Sequence, residues 1–138
     1  MASLIQPILP ALTSEFERWW ACAGTWVEPA NQRRGGESGV QLLTPREPAR
    51  LPLFCKRQTG HTYRSLAHPL GRPTVLRERD AYRAFKRLGI GLPSLVYAAA
   101  KHANGHWQAV LVTEALDGFI SLEQWYAEPR PAELTHAM

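Results

Sequence analysis

The spacing of apolar residues changes period several times along this chain, and each change marks an element. Ser14-Glu15-Phe16-Glu17 has the form of a capping box, a hydroxyl N-cap followed three residues later by a carboxylate. It predicts a short helix carrying Phe16, Trp19 and Trp20 that ends near Gly24. Trp26-Val27-Glu28 reads as a strand, and residues 31–39 read as a turn-rich, glycine-rich connection. Residues 40–43 form the returning strand and 51–57 a third. The stretch 61–72 has no period and reads as an irregular basic loop. Pro73-Thr74 then opens a helix over 74–88, with Val75, Tyr82 and Phe85 on one face and Gly89 just past its end. Residues 96–103 and 106–116 are two more strands, joined by Asn104-Gly105, a dipeptide suited to a two-residue hairpin turn. A short helical piece is predicted over 121–126.

That order, helix, three strands, helix, two strands, belongs to an α+β domain. The expected architecture is a five-stranded antiparallel sheet with one helix between its third and fourth strands, plus the short N-terminal helix. Residues 1–13 read as a loose segment, 14–116 as the folded lobe and 117–138 as a connector and tail. With 138 residues the chain is one domain at most.

Charge sharpens the picture. The net charge is +4, but residues 56–87 hold nine Lys or Arg against Glu78 and Asp80, whereas from Glu114 onward acids dominate. A positive middle suits a phosphate-bearing ligand, an anionic membrane surface or nucleic acid. Trp19, Trp20 and Trp26 sit in apolar patterns and read as core, not as a stacking platform, so no nucleic acid is expected. Cys22 and Cys55 have no metal or redox spacing, which fits a reducing cytoplasm. No apolar run reaches the roughly 20 residues of a membrane span. His102 and His106 fall on opposite faces of their hairpin, and no metal site is expected.

Glu78 lies between Val75 and Tyr82 on the inward face of the second predicted helix. A carboxylate there needs a cation, and Lys56, placed at the end of the preceding strand, is the best candidate. A plain structural ion pair would satisfy the same pattern. Two further features bear on the choice. Gly35-Gly36-Glu37-Ser38-Gly39 could bring backbone amides close to a polyphosphate, although such a run is more often only a turn. Leu111-Val112-Thr113-Glu114 runs into Ala115-Leu116-Asp117-Gly118, an apolar strand followed by an acidic connector. Glycine-rich loop, strand Lys, helix Glu, hairpin and connector, in that order, match the amino-terminal lobe of the protein-kinase fold, its helix being the αC type.

The wording of several stretches resembles the lipopolysaccharide kinase (Kdo/heptose kinase) family, and within it the weak-acid-inducible branch. They include Phe16-Glu17-Arg18-Trp19-Trp20, residues 31–40, Lys56-Arg57-Gln58, Gly71-Arg72-Pro73-Thr74, Leu76-Arg77-Glu78 and Leu111-Val112-Thr113-Glu114. Members are bacterial cytoplasmic enzymes that phosphorylate an inner-core sugar of lipopolysaccharide from ATP. The resemblance implies that Lys56 holds nucleotide phosphates and Glu78 orients it. It implies that Gly35, Gly36, Ser38 and Gly39 cover the phosphates and that Glu114 begins the hinge. Implied partners are a nucleotide, the anionic lipopolysaccharide core and an inner-membrane surface on which the protein is peripheral. ATP and Mg²⁺ are the implied cofactors. The proton-accepting Asp and the metal-binding Asp and Asn of such enzymes have no counterpart here: no His-Arg-Asp-like or Asp-Phe-Gly-like run follows Glu114. The expectation is therefore a truncated, inactive lobe, with its Mg²⁺ ligands in a missing half. The alternative is a non-catalytic, pseudokinase-like binding or stress-response protein.

Overall fold

Helix α1 (Glu15–Ala21) opens on Ser14, whose side chain accepts a hydrogen bond from the Glu17 amide at 3.2 Å. A computed structural model describes residues 14–33, 35–116, 118, 119 and 122–127. The expected loose segments at 1–13 and 128–138, with Asp117 and Ser121, lie outside the described residues. Glu17 is engaged across the molecule by Lys101, whose ammonium also stands 5.0 Å from the centroid of the Phe16 ring. One charge thereby ties helix to sheet and packs on its aromatic anchor.

The remaining elements follow the predicted order with two small additions. They are β1 (Thr25–Arg33), β2 (Gly36–Leu43), β3 (Leu53–Thr59), β4 (Thr62–Tyr63), β5 (Arg72–Pro73), α2 (Thr74–Arg87), β6 (Leu95–Ala103), β7 (His106–Glu114) and α3 (Leu122–Ala127). Five strands form one antiparallel sheet in the order β1-β2-β3-β7-β6, so the domain is α+β as expected. Asn104 and Gly105 both take positive φ, 53° and 77°, which closes the β6–β7 hairpin with the right twist. Residues 61–72 are less irregular than the sequence suggests, because β4 pairs with β5 and pinches the loop shut at its base.

The largest departure concerns the glycine-rich stretch. Only its tip is a turn: Gly35 has φ +72°, whereas Gly36, Glu37, Ser38 and Gly39 lie in β2, Gly36 paired with Arg33 of β1 and the other three with β3. A Cβ on Gly36 would stand 2.3 Å from the Thr59 carbonyl oxygen, and one on Gly39 would stand 2.7 Å from the Trp26 ring. These two glycines are there because backbone and indole pass too close for any side chain.

Two apolar layers hold the sheet between its helices. On one face Phe16 of α1 packs with Cys55, Val110 and Val112, and on the other Val75 of α2 packs with Ala109 and Leu111. The contrast along α2 is instructive. Val75 is fully buried, but Phe85 is 44 % exposed, so the inward stripe expected to include Phe85 fades over the last turns as the helix leaves the sheet. Trp26, expected in the core, is 49 % exposed because β1 is an edge strand open to solvent along its length. Burial pushes the Cys55 thiol up to about 11, with a smaller upward push from Cys22 and against the opposing pull of the Arg57 charge, which keeps it protonated and inert.

Candidate functional site

Antiparallel register puts alternate residues of β2, β3 and β7 into cross-strand rows on the α2 side of the sheet. One row is Ser38, Gln58 and Ala109; the next is Val40, Lys56 and Leu111; the third is Leu42, Phe54 and Thr113. Lys56 thus stands in the middle of β3, not at its end, flanked by apolar residues on both neighbouring strands.

From there its ammonium reaches α2 and donates to Glu78 Oε1 at 2.7 Å. The two side chains remain 27 % and 36 % exposed. The pair is therefore not the dry ion pair that an inward-facing carboxylate suggested. Partial hydration softens the desolvation cost and leaves the ammonium open to a third group. An ammonium has three donors, of which Glu78 takes one.

A second contact, missed in the sequence reading, sets this geometry. Gln58 lies two residues beyond Lys56 on the same face of β3, and Thr74 lies one helical turn before Glu78 on α2. Thr74 Oγ1 donates to Gln58 Oε1 at 2.8 Å, and Gln58 Nε2 donates to Ser38 Oγ at 3.3 Å. His61 Nδ1 lies 3.0 Å from Thr74 Oγ1, and the Thr74 amide donates to the His61 carbonyl. Strand spacing i, i+2 thus meets helix spacing i, i+4 in two parallel rungs, Lys56–Glu78 and Gln58–Thr74. Gln58 is 2 % exposed, so its amide depends on these partners, and the second rung fixes how α2 is rotated over the sheet. Through Ser38 the same network reaches the β1–β2 hairpin. The signal was present in the sequence, as Gln58 and Thr74 share the faces of the residues already singled out.

The chain belongs to the lipopolysaccharide kinase (Kdo/WaaP) family. The family's sequence profile matches residues 17–138. Protein InaA of Escherichia coli (strain K12) is 42 % identical over 128 residues, which is 90 % of this chain and 58 % of that protein. The chain therefore spans less than two thirds of the curated relative it matches. No solved structure matches it.

Within this family member the remaining site positions are distributed as follows. Gly35 forms the open hairpin tip, with nothing within 4 Å of where a Cβ would stand. Gly36 and Ser38 follow it in β2, and Ser38 is committed to Gln58. Gly39 falls in the row of Arg57 and Val110, on the α1 face of the sheet and away from Lys56. Glu114 ends β7. Its amide donates to the Ser94 carbonyl at 2.9 Å, and the Ala115 amide donates to the Pro52 carbonyl at 2.8 Å. Pro52 has no N–H to return, so the carbonyl of Ala115 receives nothing from that residue.

The hollows of about 640 and 710 Å³, and a smaller one of about 260 Å³, are lined without Lys56 or Glu78. Lys56 instead stands on the α2 side of the sheet, partly exposed beside that helix. Among the described residues no three His, Cys, Asp or Glu gather where they could hold a metal ion. No helix among them is long and apolar enough to cross a membrane.

Proposed function

We propose that this chain is the nucleotide-gripping, kinase-like amino-terminal lobe of a lipopolysaccharide-kinase-type phosphotransferase. Residues 14–116 are the lobe, and the backbone after Glu114 is the hinge. The observation that carries the reading is the half-hydrated Lys56–Glu78 pair on the face that also carries Val40, Leu42 and Phe54. In this arrangement Lys56 grips two phosphate oxygens with its free donors while Glu78 holds it upright. The purine lies on the apolar row of Leu42 and Phe54, and the Gly35 turn closes over the phosphates. The residues present fit a nucleotide: a reachable ammonium, an apolar floor and an unobstructed glycine tip.

They do not fit Mg²⁺. Among the described residues no acid cluster is available, so the metal ligands and the group that accepts the hydroxyl proton come from outside them. The acceptor in this reading is an inner-core sugar of lipopolysaccharide, which membership of a lipopolysaccharide kinase family supports. The same lack of an acid cluster favours, as a second reading, a lobe that binds nucleotide without transferring phosphate.

Competition for a fluorescent ATP analogue tests the grip. ATP should displace the analogue, and adenosine, which has no phosphate, should need about 100-fold more, because two charge-assisted hydrogen bonds are missing. Equal potency of the two would mean that Lys56 does not hold phosphate.

A further inference from the structure

The loop between β4 and β5 is the least covered apolar part of the described molecule. Leu66 and Leu70 are fully exposed, at 104 % and 95 %, and no other large apolar residue among those described exceeds 74 %. The loop is nonetheless held in shape. Ser65 and His68 exchange backbone hydrogen bonds, Ser65 Oγ accepts from the His68 amide, and the Gly71 amide donates to the His68 carbonyl. A fold that orders a loop and leaves two leucines in water has not spent them on its own core.

Cations surround the base of the loop. Arg64 and Arg77 are exposed, and the Arg77 guanidinium stands 4.7 Å from the centroid of the Tyr63 ring. Arg72 donates to Tyr63 Oη at 3.2 Å and pairs with Asp80 at 2.8 Å, while Arg79 pairs with the same carboxylate at 3.1 Å. Arg72 and Arg79 share the one carboxylate of Asp80, and Arg64 and Arg77 add two further cations, so the base keeps excess positive charge.

We propose that this loop docks the protein on an anionic phospholipid bilayer, with Leu66 and Leu70 inserted below the headgroups and the arginines at the phosphates. The shape favours lipid over a protein partner. The leucines are fully exposed and line none of the three hollows, and a bilayer accepts such side chains without a complementary pocket. Apolar insertion and charge attraction are the two signals that stable interfacial binding requires. The inference goes beyond the nucleotide reading and does not depend on it.

Sedimentation of the 138-residue chain with phosphatidylethanolamine–phosphatidylglycerol vesicles tests the proposal, with phosphatidylcholine vesicles as the uncharged comparison. The chain should partition to the anionic vesicles and much less to the uncharged ones, and added salt should weaken the binding. Leu66→Ser with Leu70→Ser should lower the partition coefficient about 100-fold, roughly tenfold per leucine. Arg64→Glu with Arg77→Glu should weaken binding to anionic vesicles alone. Because Leu66 and Leu70 touch no core, the leucine variant should keep the wild-type melting temperature and ATP affinity. Unchanged partition of the leucine variant, or no preference of the wild type for anionic vesicles, would overturn the proposal. So would loss of vesicle binding together with capture of a soluble protein through the same two leucines. ATP binding that persists in any of these cases leaves the nucleotide reading standing alone.

Discussion

Replacing Lys56 with Met should weaken ATP binding by about 100-fold while lowering folding stability by less than about 1 kcal/mol. The two effects separate because the ammonium has one partner in the fold and, in the proposed complex, a second. Its bond to Glu78 is a partly hydrated ion pair, and such pairs contribute little to stability once solvent screening and side-chain entropy are counted. Removing it leaves Glu78 about a third exposed, so water can take over its solvation. The proposed contacts with phosphate would be charge-assisted hydrogen bonds, worth about 1.5–3 kcal/mol each. A structural ion pair alone would give the opposite result, a small loss of stability with ATP affinity unchanged. Chemical denaturation and an ATP titration of the same variant decide between them.

The second large effect is Gly36→Ala, which should destabilise the fold by about 3 kcal/mol and lower the melting temperature by about 10 °C. A Cβ there would lie 2.3 Å from the Thr59 carbonyl oxygen, 2.4 Å from Gly60 C and 2.6 Å from the His61 amide nitrogen. All three are backbone atoms, so relief requires β2 to move off the end of β3. Gly35→Ala is the comparison. Its Cβ would meet nothing, and only the positive φ of 72° opposes it, at about 1–2 kcal/mol. If the glycine run were simply a mobile phosphate loop, both substitutions would be mild in the absence of nucleotide. Equal melting temperatures for the two variants would contradict the packing role assigned to Gly36.

That contrast also shows where sequence reasoning stopped. Local chemistry was legible: Ser14 caps α1, Asn104-Gly105 closes the β6–β7 hairpin, and Thr74 to Gly89 frames α2. Each depends on residues within one turn of the chain. The glycine run was misjudged because glycine is depleted from strands, and a sequence does not show what passes beside one. Only the register of β2 against β3 reveals that Gly36 meets Thr59, and only its pairing with β1 that Gly39 meets the Trp26 indole. Periodicity alone puts Phe85 and Trp26 in the core, because it does not tell where a helix lifts off a sheet or which strand is an edge. The Lys56–Glu78 contact was inferred from charge need. The Gln58–Thr74 rung beside it was overlooked because two neutral side chains create no comparable demand on the page.

The central claim, that Lys56 is held by Glu78 to receive nucleotide phosphate, is tested most directly by an acyl-phosphate derivative of ATP. Such a probe transfers its acyl group to a lysine amine lying against the phosphates, and peptide mass spectrometry identifies the lysine. The account predicts acylation at Lys56, suppressed by excess ATP and reduced in Glu78→Gln, where the ammonium loses its anchor. Labelling spread over Lys86 and Lys101 as strongly as Lys56, or labelling of Lys56 that excess ATP does not suppress, would contradict it.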